Sequence, residues 1–142
     1  MARTIPVGSV SEDVKRLIET TERSFRCGVE QFREGKRIGD IGHAVQSCVE
    51  AEGFSVVRRY VGHGVGHELH EDPEVPNYGT AGRGVRLCTG MTLAIEPMVN
   101  MGPDVREMSD GWTVKTADGT LSAHYENSVA LTEDGPVILT VV

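Results

Sequence analysis

The apolar residues of this chain follow a helical period up to about residue 53 and a strand period after it, a switch that dictates an α+β fold. Val14, Leu17, Ile18, Thr21, Phe25, Val29 and Phe32 share one helical face. Ahead of them, Ser9-Val10-Ser11-Glu12 has the hydroxyl-to-carboxylate spacing of a capping box, and Gly35 is placed to end the helix. A second helix is expected to start near Gly39 or Asp40, bury Ile41, Val45, Cys48 and Val49, and stop at Gly53. Only a few residues around Lys36 and Arg37 join the two, so they should be antiparallel neighbours. Residues 3–7 and 54–57 are β-like, and Met91 to Val99, Trp112 to Lys115, Ser122 to Leu131 and Val137 to Val141 read as strands separated by turn signals. Between them, residues 61–90 are rich in glycine and carry Pro73 and Pro76, which predicts a long irregular stretch. Such a stretch inside a compact domain is usually functional.

A chain of 142 residues buries about 68–70% of the surface its unfolded form exposes, so one domain spanning residues 1–142 is expected. The net charge of −7 supplies no basic face, and no nucleic-acid partner is expected. Cys27, Cys48 and Cys88 show no CxxC spacing. Cys27 and Cys48 fall in the helical patterns as small core residues, a usage that suits a reducing cytoplasm. No basic segment followed by an apolar run opens the sequence, and no 18-residue apolar stretch occurs. Neither secretion nor a membrane span is expected.

The densest chemistry lies in Gly62-His63-Gly64-Val65-Gly66-His67-Glu68-Leu69-His70-Glu71. Imidazoles and carboxylates suit a divalent transition metal, and the glycines let backbone approach a ligand closely. The HExxH pattern of zinc peptidases does not fit, because the second histidine of His67-Glu68-Leu69-His70 comes one position early. A histidine taken singly is as well read as a hydrogen-bonded surface residue, and spacing alone leaves both readings open. Glu96 interrupts the apolar run from Met91 to Val99, and Glu126 sits within the strand pattern from Ser122 to Leu131. A carboxylate buried in a sheet is costly unless it is paired or metal-bound. Pro97 removes a ladder donor beside Glu96, which predicts an edge or bulge there. One such glutamate alone would be read as solvent-facing; two downstream of a histidine-rich loop favour a metal site.

Five segments, in order, resemble methionine aminopeptidase of type I: Tyr60-Val61-Gly62-His63-Gly64-Val65-Gly66, His70-Glu71-Asp72-Pro73, Gly90-Met91-Thr92-Leu93-Ala94-Ile95-Glu96-Pro97-Met98, Asp110-Gly111-Trp112-Thr113-Val114-Lys115-Thr116, and Leu121-Ser122-Ala123-His124-Tyr125-Glu126. The resemblance implies half of a pita-bread fold, with two antiparallel helices packed on a curved antiparallel sheet. It implies metal-dependent hydrolytic removal of N-terminal methionine from nascent proteins. His63, Glu96 and Glu126 would be metal ligands, with Glu126 bridging two divalent ions (Mn, Co, Fe or Zn) in a complete site. Glu96 would also move protons, His70 would contact the substrate and stabilise the developing oxyanion, and Trp112 would line the region near the methionine pocket. His67 occupies a position that varies in such enzymes.

The family takes two further aspartate ligands from its N-terminal half, and Met1 to Gly8 resembles the strand that follows the second of them. The chain is therefore expected to be the C-terminal half of the catalytic domain and to bind metal weakly or singly by itself, being either a fragment of a longer enzyme or a piece that pairs with a separate N-terminal half or with itself. Asn127-Ser128 stands where the family usually has His-Thr, beside a ligand without replacing it. A contrasting reading is a non-catalytic pita-bread module that binds peptide or protein partners. The missing aspartates favour it, and the presence of His63, His70, Glu96 and Glu126 disfavours it.

Overall fold

The computed structural model describes residues 1–141. In chain order they form β1 (Ala2–Arg3), α1 (Glu12–Gln31), α2 (Ile38–Glu50), β2 (Ser55–Val56), β3 (Gly62–Gly64), β4 (Glu71–Val75), β5 (Thr92–Ile95), β6 (Met98–Asn100), β7 (Val105–Glu107), β8 (Val114–Thr116), β9 (Ser122–Thr132) and β10 (Gly135–Ile138). Two helices lie against one face of an antiparallel sheet, the expected α+β arrangement.

Helix α1 is capped by Ser11, not by Ser9, and with Val14 at the third helical position no carboxylate completes a capping box. The Ser11 Oγ accepts a hydrogen bond from the Val14 N–H at 3.4 Å, and Glu12 and Asp13 place negative charge at the positive end of the helix. Because this bond is long and exposed, Ser11→Ala is expected to cost only about 0.5–1 kcal/mol, read as a lower urea midpoint at unchanged slope. A larger loss would mean the cap also fixes how the chain enters the helix.

The antiparallel pairing of the helices shows in their contacts. A Cβ on Gly28 of α1 would press on the Val45 and Ile41 side chains of α2, and Arg23 reaches Glu52 at 2.6 Å. Cys27 and Cys48 face each other at this seam as half-buried free thiols, not as core residues. Burial, reinforced by the Cys48 thiol, pushes Cys27 up to about 11. Helix α2 begins at Ile38 because Asp40 accepts the Arg37 N–H at 2.8 Å. The other oxygen of Asp40 accepts the Gly82 N–H at 2.8 Å, tying the long loop after β4 to the helix start. Burial works to raise the Asp40 pKa, but these two N–H donors outweigh it and hold the carboxyl below its usual range.

The sheet runs β2-β6-β9-β5-β3-β4, with β1 and β10 pairing on the other side of β9. The core divides into two neighbouring clusters under the helices. Phe25, Phe32, Ile41, Leu87, Leu93, Ile95, Val129 and Leu131 form the larger, and Leu17, Val45, Val49, Val56 and Val99 the smaller.

Three strand expectations change. The run from Met91 to Val99 is two strands, β5 and β6, broken at Glu96-Pro97. Pro97 has no N–H to give the ladder; its carbonyl accepts from the Tyr125 N–H at 3.2 Å instead. Residues 61–90 are not irregular throughout, because β3 and β4 pair within them. Val105–Glu107, not marked as a strand by its sequence, pairs with Val114–Thr116 in a two-stranded ribbon outside the main sheet.

Candidate metal centre

Strand β9 passes through the middle of the sheet, and its alternation decides what faces the site. Ala123, Asn127, Val129 and Leu131 are buried, and the Tyr125 ring meets Phe25 of α1 with centroids 5.1 Å apart. Successive side chains on a strand point to opposite faces. His124 and Glu126 therefore project away from the helices. Glu96 reaches the same region because the chain breaks from β5 to β6 at this point. His63 sits at the centre of β3, opposite Ala94 of β5.

These elements converge on Glu96. Its Oε1 lies 3.4 Å from His63 Nε2, and its Oε2 lies 3.5 Å from His124 Nε2. One donor atom each from Glu96, His124 and Glu126 fall within 4.8 Å of one another. His63 and Glu96 are only 15% exposed at the side chain. The Asn77 amide donates to the Glu96 carbonyl at 3.1 Å, holding the backbone at the strand break. Glu126 Oε1 lies 3.7 Å from the Met1 ammonium.

The hydrogen-bonding pattern fits a cation. His63 Nδ1 lies 2.8 Å from the Gly64 carbonyl, which can only accept, so Nδ1 carries a hydrogen and Nε2 is the ring nitrogen turned to Glu96. His124 Nε2 is buried with no hydrogen-bond partner. Two carboxylates and two imidazole nitrogens crowded together leave electron-rich atoms facing one another. A shared cation relieves that repulsion, and the mixed N/O donor set suits a divalent transition metal.

The other residues singled out by the sequence lie at graded distances. His70 is exposed on the loop before β4, its ring 4.2 Å from the His63 ring, and both line a cleft with Glu71, Asp72 and Glu74. Glu71 accepts the Glu68 N–H at 2.8 Å and so folds that loop back on itself. His67 is exposed and joins no potential metal-ligand group among the described residues. Trp112 is 89% exposed at the turn of the β7–β8 ribbon, where Asp110 accepts its N–H at 3.0 Å. Sequence reasoning gave His124 no role. Its position two residues before Glu126 on a strand, hence on the same face, was the signal that could have found it.

The fold and the carboxylate–imidazole cluster suit a metallopeptidase, and comparison with known proteins agrees. The model of metallopeptidase family M24 matches residues 1–133, and the chain belongs to that family. It is 58% identical over 142 residues to methionine aminopeptidase of Clostridium perfringens, and 54% identical over 140 residues to methionine aminopeptidase 1 of Bacillus subtilis. Those alignments take in 99% and 98% of this chain but 57% and 56% of the relatives, so the chain spans little more than half their length. The crystal structure of methionine aminopeptidase from Rickettsia prowazekii superposes with a TM-score of 0.95 at 44% identity, covering 98% of this chain and 57% of that one. A dipeptidase from Pyrococcus horikoshii, at 23% identity and a TM-score of 0.76, shares the fold. No helix among the described residues is long and apolar enough to cross a membrane.

Proposed function

We propose that this chain supplies the C-terminal half of a type I methionine aminopeptidase site, which removes N-terminal methionine from nascent proteins in the cytoplasm. The observation that carries this reading is the convergence of His63 and His124 on opposite oxygens of Glu96, with Glu126 alongside. His63, Glu96 and Glu126 would hold divalent ions (Mn, Co, Fe or Zn), two per complete site. When bound, such ions acidify the attacking water and polarise the scissile carbonyl.

The chain's own residues supply the rest. Glu96 accepts the proton of the attacking water at a carboxylate oxygen and returns it to the nitrogen of the departing amine. The exposed His70 ring donates a hydrogen bond to the oxyanion as the carbonyl carbon becomes tetrahedral. Trp112, presented on the ribbon turn, flanks the methionine end of the substrate. The products are free methionine and a protein with a new α-amino group.

Three ligands carry too little negative charge to hold two dications and a shared water, so the complete site needs further carboxylates. A methionyl-alanyl peptide assayed with excess Mn²⁺ or Co²⁺ should show little turnover with these 142 residues alone. Robust turnover should appear once a separate N-terminal half is added. Strong turnover by the pure monomer overturns the half-site reading, and none from the paired halves overturns the aminopeptidase reading.

A further inference from the structure

We propose that His124 is itself a metal ligand, joining Glu96 and Glu126 through Nε2 so that these three side chains hold one divalent ion. The inference rests on the metal-site reading above and adds a donor to it. Its basis is positional and chemical. Nε2 of His124 is fully buried, makes no hydrogen bond, and lies 3.5 Å from Glu96 Oε2. Ligand atoms around one ion of zinc size, each about 2.0–2.2 Å from it, stand roughly 3–4 Å apart. The donor atoms of Glu96, His124 and Glu126 all lie within 4.8 Å of one another, so a small rotation of side chains closes the set. Strand geometry supports it. His124 and Glu126 leave the same face of β9 two residues apart, and the Pro97 break aims Glu96 at both.

An unpartnered imidazole nitrogen in a buried position has two physical resolutions. It can take a proton and bind the adjacent carboxylate, or it can donate its lone pair to a metal. In the first case His124 only positions Glu96. In the second it contributes a bond to the ion, and it biases the site toward Co²⁺ and Zn²⁺ over the oxygen-loving Mg²⁺ and Ca²⁺.

Cobalt separates these cases, because its visible absorption reports the number and type of ligands. The intact chain and its His124→Ala, His124→Gln and Glu126→Ala variants would be titrated with Co²⁺ by absorption and calorimetry, after thermal unfolding without metal confirms each is folded. His124→Ala should weaken Co²⁺ binding by at least about tenfold and change the visible spectrum. His124→Gln, whose amide N–H can still bond to Glu96, should restore neither; it also carries the test if the alanine variant fails to fold. Recovery of wild-type affinity and spectrum in His124→Gln would reduce His124 to a positioning residue and overturn the proposal. Unchanged binding in His124→Ala while Glu126→Ala loses it would overturn this proposal alone. Absence of Co²⁺ uptake by the unaltered chain would overturn it together with the metal-site reading.

Discussion

Glu96→Gln is expected to lower divalent-metal affinity by at least about 100-fold, the upper end of what loss of an outer partner costs at such sites. Glutamine has the shape of glutamate, and the side chain is largely enclosed, so packing should be preserved. What disappears is the charge at the centre of the cluster, approached by His63 on one oxygen and His124 on the other. The sign of the stability change is a second check. Without metal, the Glu96 and Glu126 carboxylates face each other across a partly dry space, and removing one charge relieves repulsion. The metal-free variant should therefore melt at the same temperature as the unaltered chain or higher, and should lack the upward shift with added Mn²⁺ that is expected of the unaltered chain. Under the proposed chemistry the same change in a complete enzyme would also remove the proton carrier, at a cost on the order of 10²–10⁴ in rate. A variant that bound metal normally would remove Glu96 from the site altogether.

The second large effect comes from a residue with no functional group. Gly62 lies in β3 with β4 on one side and β5 on the other, and a Cβ there would overlap the Ala94 carbonyl oxygen and press on Val75. Its φ is not in the left-handed region, so the obstacle to alanine is steric and not conformational. The obstructing atom is backbone in a central ladder and cannot swing aside. Gly62→Ala should destabilise by about 1–3 kcal/mol or more, the usual cost of overpacking. It should also weaken metal binding, because β3 cannot move off β5 without carrying His63 away from Glu96. Denaturant titration and calorimetry on the same protein measure both effects. Loss of stability with unchanged metal affinity would show that His63 is not placed by this packing.

How much of this could be read in advance depended on whether the signal was local. The helices were legible because their stripes are long and mostly satisfied: Leu17, Phe25 and Phe32 are all buried as the period requires. The cap was misplaced because Ser9 and Ser11 offer equivalent hydroxyls, and only the path of the chain selects Ser11. Cys27 and Cys48 fit the stripe but lie at the seam between two helices, where burial is partial. Strands β3 and β4 were obscured because glycines and Pro73 weaken every local strand cue, although close backbone approach is what requires the glycines there. β7 had a single apolar residue, Val105, and pairs only with β8. In the site, His63 and Glu96 were visible as residue types out of place in glycine-rich and apolar surroundings. His124 looked ordinary in its strand, and its significance lies in a face shared with Glu126 and a distance to Glu96 that spans 28 positions of sequence.

On the proposed reading, Glu96 and Glu126 meet at one cation-binding point beside two imidazoles. Crystals of the protein grown with Mn²⁺ and measured at an anomalous wavelength test it directly. An anomalous peak is expected about 2.0–2.3 Å from a carboxylate oxygen of each glutamate, with a histidine nitrogen at similar distance. A fully loaded Mn²⁺ peak bound elsewhere on the surface, with the glutamate pair vacant, would contradict it.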